Sequence, residues 1–122
     1  MTKKTVLLVD DSRVARMMAR AVVEKAHPGW TIIEAADGEA AIAAARTAPP
    51  DFILVDVNMP GIGGIDAARQ LHALVPAAAI TLLTANIQDP VRHQAEAIGV
   101  GFMTKPINEP ALVAFLAGAG AA

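Results

Sequence analysis

Asp51-Phe52-Ile53-Leu54-Val55-Asp56-Val57-Asn58-Met59-Pro60 is the stretch that decides how the chain reads. Phe52 to Val55 is a continuous apolar run, too short for a buried helix and of the length of a strand covered on both faces. Asp56 breaks the run at its C-terminal end, and Pro60-Gly61 turns the chain into a loop. A carboxylate at the end of an otherwise apolar strand costs free energy unless something pairs with it. The rest of the sequence has to supply that partner.

Outward from this strand the same grammar repeats. Thr5 to Val9 is a second apolar run, and it ends in Asp10-Asp11. Ser12 is placed to cap a helix over Arg13 to Ala26, with Val14, Met17, Met18, Ala21 and Val22 at helical spacing and Arg13, Arg16 and Arg20 on another face. Pro28-Gly29 stops it, and Thr31 to Ala35 reads as a less buried strand. Asp37-Gly38 reads as a turn before an Ala-rich helix from Glu39 to Thr47, closed by Pro49-Pro50. Beyond the central strand, Gly61-Ile62-Gly63-Gly64 reads as a flexible loop. A helix is expected from Ile65 to Leu74, with Ala68, Leu71, Leu74 and Val75 facing inward. Ala79 to Leu83 is a fourth strand ending in Thr84. Asp89-Pro90 opens a helix to Ile98, Gly101 to Thr104 is a short fifth strand ending in Lys105-Pro106, and Glu109-Pro110 opens a last helix to Ala117. The small-residue tail from Gly118 to Ala122 is expected to fray.

Strict alternation of strand and helix implies an α/β fold: a doubly wound, five-stranded parallel sheet with helices on both faces. The 122 residues suit one domain, 1–122, with no segment expected to remain for a second. A 54% hydrophobic and 18% charged composition supports a packed core and argues against disorder. The formal net charge of −2 gives no electrostatic reason to expect nucleic acid or an anionic membrane as partner. With no cysteine, disulfides, thiolate zinc sites and cysteine nucleophiles are excluded. The N-terminal apolar run is too short for a signal peptide and no stretch is long enough to span a membrane, so a cytoplasmic protein is expected.

Polar residues therefore sit at the same end of several predicted strands: Asp10 with Asp11, Asp56, Thr84 and Lys105. In open parallel sheets ligands bind beyond the carboxyl ends of the strands, where strand order reverses. Three carboxylates gathered there repel each other and one lysine does not balance them. A Mg²⁺ ion would, since it takes a few carboxylates, water and a substrate phosphate. A lysine ammonium and a hydroxyl suit the oxygens of a phosphoryl group, and a carboxylate can act as nucleophile by forming an acyl phosphate.

Four motifs carry a resemblance: Val9-Asp10-Asp11-Ser12, Val55-Asp56-Val57-Asn58-Met59-Pro60 with Gly64 beyond it, Leu83-Thr84-Ala85, and Phe102-Met103-Thr104-Lys105-Pro106. Over essentially its whole length the chain resembles the receiver domain of bacterial two-component response regulators, of the single-domain, chemotaxis (CheY-like) type. The resemblance implies a flavodoxin-like fold with strand order 2-1-3-4-5. It implies Asp56 as phosphoacceptor; Asp10, Asp11, Asp56 and the Asn58 carbonyl as the Mg²⁺ site; Lys105 as the partner of the phosphoryl group; and Thr84 with Phe102 as the switch. A cis Lys105–Pro106 peptide is also implied. Phe102 stands where tyrosine is frequent in that family, and so has no hydroxyl to offer a partner.

The function that follows is a Mg²⁺-dependent phosphoacceptor rather than an enzyme acting on a separate substrate. The resemblance implies that it assists its own phosphorylation and dephosphorylation, with no output domain attached. A sensor histidine kinase or a histidine phosphotransfer protein would supply the phosphoryl group. An effector protein would read the result on the face formed by the fourth helix, fifth strand and fifth helix, and the chain is expected to be a monomer. The alternative is a relay intermediate that passes phosphate on to a histidine phosphotransfer protein. A Mg²⁺-dependent aspartyl phosphohydrolase is disfavoured because Asn58 sits where such enzymes carry their general acid. Asn58 and Asn86 are expected to flank the path of attacking water. The arginine stripe is a candidate docking face for the phosphodonor protein, and no metal role is expected for His27, His72 or His93.

Overall fold

Apolar strands alternate with helices from end to end, and each strand leads into a helix through a loop at its carboxyl end. The computed structural model describes residues 3–85 and 89–118, so Asn86 and residues 119–122 of the expected frayed tail lie outside it. The elements are β1 (Thr5–Val9), α1 (Arg13–Ala26), β2 (Thr31–Ala35), α2 (Gly38–Thr47), β3 (Phe52–Asp56), α3 (Gly63–Leu74), β4 (Ala79–Thr84), α4 (Asp89–Ile98), β5 (Gly101–Thr104) and α5 (Glu109–Leu116). The sheet is parallel throughout, in the order β2-β1-β3-β4-β5.

Side chains alternate across each strand, so the sheet carries two apolar layers. Leu7, Val9, Ile53, Val55, Ile80 and Leu82 pack on one face with Ala41 and Ala45 of α2, Ala67, Ala68 and Leu71 of α3, and Ala95 of α4. Val6, Leu8, Phe52, Leu54 and Leu83 pack on the other with Ala19 and Val23 of α1 and Leu112 and Leu116 of α5. Chain direction across the sheet reverses between β1 and β3. Their register, Val9 opposite Val55, therefore brings Asp10 and Asp56 to neighbouring strand tips.

Several local expectations change. In α1 the buried residues are Ala19 and Val23, while Val14, Met17 and Met18 are 65%, 57% and 49% exposed. The helix carries two apolar stripes. The one that packs has alanine at 15 and 19, and its rotation is fixed by Arg16 and Arg20 reaching Glu34 on β2. Leu74 is likewise exposed, and α3 buries Gly64, Ala67, Ala68 and Leu71. Asp37 is a helix cap rather than part of a free turn: its side chain accepts a hydrogen bond from the Ala40 amide at 2.7 Å.

The expected flexible loop at 61–64 is largely structured, because Gly63 and Gly64 form the first turn of α3. Gly64 donates its amide to the Val57 carbonyl at 3.1 Å, and a Cβ there would lie 1.9 Å from the backbone oxygen of Asp56. The loop after β3 closes only because this position lacks a side chain. Gly64→Ala is expected to cost about 3 kcal/mol, since backbone cannot yield as a flexible side chain can. A urea midpoint indistinguishable from wild type would contradict that close approach.

Candidate functional site

The sheet brings acids and a lysine from the ends of three strands together. Asp10 and Asp56 are buried at adjacent tips. Lys105, just past β5, reaches back over the sheet so that its Nζ lies 2.9 Å from Asp10 Oδ2 and 3.2 Å from Asp56 Oδ1. Asp11 is exposed at the rim, and one carboxylate oxygen from each of Asp10, Asp11 and Asp56 lies within 4.8 Å of the others. The predicted acids and the predicted lysine are thus brought together.

Backbone hydrogen bonds set this geometry. The Asp10 amide donates to Ala35 O on β2 at 3.1 Å, and the Ser12 amide donates to Asp10 Oδ1 at 2.9 Å. Across the pocket the Asn58 amide donates to Asp56 Oδ1 at 3.2 Å, while Val57 is tied to Leu83 O of β4 at 2.8 Å. Lys105 donates its own amide to Thr84 O at 2.7 Å, and the Lys105–Pro106 peptide is cis. No well-aligned hydrogen bond reaches the buried Asp10 Oδ2, although the Lys105 charge stands beside it. An oxygen in that position, with two further carboxylates in reach, fits a hard cation that prefers oxygen ligands and keeps part of its water.

The electrostatics carry the same message. Burial, reinforced by the Asp10 charge, pushes the Asp56 carboxyl above the usual range, and Lys105 only partly offsets this. Burial works against the Lys105 charge, yet Asp10 and then Asp56 overcome it and hold the ammonium above the ordinary lysine value. Asp56 therefore remains short of positive charge even with Lys105 in place.

Thr84 is buried at the end of β4, one residue past the Asp56–Leu83 pair. Alternation puts it on the same sheet face as Phe102, which is half-buried against the α2–α4 layer with the Arg92 guanidinium 5.9 Å from its ring centre. Thr84 and Phe102 therefore lie on the same face of adjacent strands, two register positions apart.

The arginine stripe is not the open docking face expected of it. Arg16 and Arg20 both bind Glu34, at 2.9 and 3.2 Å, and Arg16 also donates to the carbonyl oxygen of Asp10 at 2.6 Å. Glu34 escaped sequence reading because it stands alone on a half-exposed strand. The one available signal was an acid facing a helix with basic residues four apart.

A parallel sheet in this order, with acids and a lysine at its switch point, is a doubly wound fold with a charged site beyond its strand ends. The chain matches the response regulator receiver domain family over residues 6–117 and belongs to it. It is 32% identical to the chemotaxis protein CheY of Thermotoga maritima over 112 residues, covering 90% of this chain and 92% of that protein. It is also 32% identical to protein PilH of Pseudomonas aeruginosa, covering 88% and 90%. Of the probable transcriptional regulatory protein TcrX of Mycobacterium tuberculosis, 38% identical, it spans only 44%, and of the Escherichia coli response regulator UvrY 46%, so the chain covers about half the length of these relatives. The structure of chemotaxis protein CheY4 from Vibrio cholerae superposes with a TM-score of 0.85 at 31% identity, covering 95% of this chain and 98% of that one. The flavodoxin-like, CheY-type fold implied by the motifs is the fold observed.

The raised Asp56 value has a consequence for stability. Between the unfolded and folded values the native state binds the extra proton, so stability is present below the unfolded value and lost as pH rises through the folded one. Asp56→Asn removes the cost while Lys105 keeps Asp10. Without divalent cations at pH 7 this variant is expected to gain on the order of 1 kcal/mol, and the gain should shrink as acidification protonates wild-type Asp56. Urea unfolding with a chelator across pH measures both, and a variant less stable than wild type at neutral pH would contradict the charge assignment.

Proposed function

We propose that this chain works as a single-domain, phosphorylation-operated switch in the cytoplasm, taking a phosphoryl group from a histidine kinase or histidine phosphotransfer protein onto Asp56. The observation that carries the proposal is the position of Lys105, within ion-pair distance of both buried acids. PilH and CheY, which the chain covers nearly in full, support action without an attached output domain.

In this reading an Asp56 carboxylate oxygen bonds to phosphorus as the bond between phosphorus and the donor imidazole breaks, and the imidazole leaves. Asp10, Asp11, Asp56 and the Asn58 carbonyl would hold Mg²⁺, which when bound neutralises charge on the transferring oxygens. Lys105 exchanges its contacts with the acids for a phosphoryl oxygen. Burial of Asp56 limits competing water, and its raised value keeps the attacking oxygen basic.

The Thr84 hydroxyl then donates to the phosphoryl group, and the space it vacates or fills is transmitted to Phe102 on the same face. An effector protein reads the change on the α4–β5–α5 face. With Arg16 and Arg20 committed to Glu34, the donor protein docks over the pocket mouth against the exposed apolar residues of α1, Val14 and Met18, beside Ile107. The protein works as a monomer.

Incubation with a small phosphodonor and Mg²⁺ tests the reading through intact mass. Wild type is expected to gain one phosphoryl group and Asp56→Asn none, with chelation of Mg²⁺ slowing the gain at least tenfold. Equal labelling of the Asp56→Asn variant would overturn the assignment of the acceptor.

A further inference from the structure

Arg16 lies one helical turn from the acidic loop and is mostly buried, with 16% of its side chain exposed. Its guanidinium spans two acceptors from different elements: the Asp10 carbonyl oxygen at 2.6 Å and Glu34 Oε1 of β2 at 2.9 Å. Glu34 is itself steadied by Arg20 through its other oxygen, at 3.2 Å. Arg20 and Glu34 thus brace Arg16, which holds one peptide group, the one joining Asp10 to Asp11; none of the three has a place in the phosphoryl chemistry.

That peptide matters because the two acids are supported differently. The Asp10 side chain is oriented by the Ser12 amide and by Lys105. The Asp11 side chain has no hydrogen bond or ion pair among the described residues, yet one of its oxygens lies in the cluster of possible metal ligands. Its direction is set by its backbone, and the plane of that backbone is fixed by the carbonyl that Arg16 holds. We propose that Arg16, braced by Glu34, is a positioning residue that aims the Asp11 carboxylate into the cation site.

The inference rests on the Mg²⁺ site proposed above, and its sign separates it from simple electrostatics. Removing a cation near an acidic pocket should tighten binding of a second cation. Losing a group that orients a ligand should weaken it, commonly by 10–100-fold. The two effects oppose each other, so the direction of change decides.

Calorimetric titration of the whole chain with Mg²⁺ is the test, with a urea midpoint for each variant. Arg16→Met is expected to bind Mg²⁺ about tenfold more weakly, and Glu34→Gln about threefold, a smaller loss because it removes the brace and leaves the bond to Asp10. Arg16→Lys, which keeps the charge but not the forked geometry, should fall between wild type and Arg16→Met. Arg13→Met removes the same charge from an exposed neighbour and should bind as wild type or tighter. Folded Arg16→Met binding as tightly as wild type, or more tightly, would overturn the inference. If Arg16→Met does not fold, the Arg16→Lys variant decides: wild-type affinity in it overturns the inference and weakened affinity supports it. No binding by wild type would instead overturn the cation site itself, and this role with it.

Discussion

Asp10 and Asp56 are buried carboxylates on adjacent strands, and they share one ammonium, that of Lys105. Each charge was taken out of water at a cost, and one lysine cannot satisfy two acids with a third at the rim. The pocket is therefore electrostatically unfinished. The raised Asp56 value expresses that deficit, and in the proposed function the deficit is what would draw a divalent cation and, after it, a phosphoryl group to the site. A fully neutralised pocket of the same shape would be more stable.

The fold exists around this pocket in a specific sense. Reversal of strand order between β1 and β3 brings the acids together, and β4 and β5 extend the sheet far enough for Lys105 to return over it. The loops that carry the acids are held by backbone hydrogen bonds to neighbouring strands, at Asp10 to Ala35 and at Val57 to Leu83. Gly64 lets the loop after β3 fold beneath Asp56. Structural hydrogen bonds and chemistry are therefore spent on the same few residues. The Lys105 amide is joined to Thr84 at the end of β4, which pairs with the strand that carries Phe102.

How much of this was legible follows from the distance over which each signal acts. Strands with both faces buried announce themselves as apolar runs, and a polar residue ending each run marks the sheet's carboxyl edge, so the placement of Asp10, Asp56, Thr84 and Lys105 at strand ends could be read directly. The rotation of α1 could not. Its sequence offers two apolar stripes, and the choice depends on Glu34, a single acid on another strand. Arg16 read as a surface charge because its main acceptor is a backbone carbonyl, which leaves no trace in side-chain patterns. Gly64 read as flexibility because the atom that forbids a side chain there, the Asp56 oxygen, is brought close only by tertiary folding.

The central claim is that the Lys105 charge is shared between the acids until a phosphoryl group takes it. Measuring Mg²⁺ affinity and the rate of phosphorylation by a small phosphodonor side by side in wild type and Lys105→Met tests this most directly. Loss of the ammonium should tighten Mg²⁺ binding, because a competing cation has left the acids, while phosphorylation slows by roughly a hundredfold, the loss typical of removing one group that stabilises transferring charge. Mg²⁺ binding that weakens together with the rate, or a rate that does not change, would contradict the account.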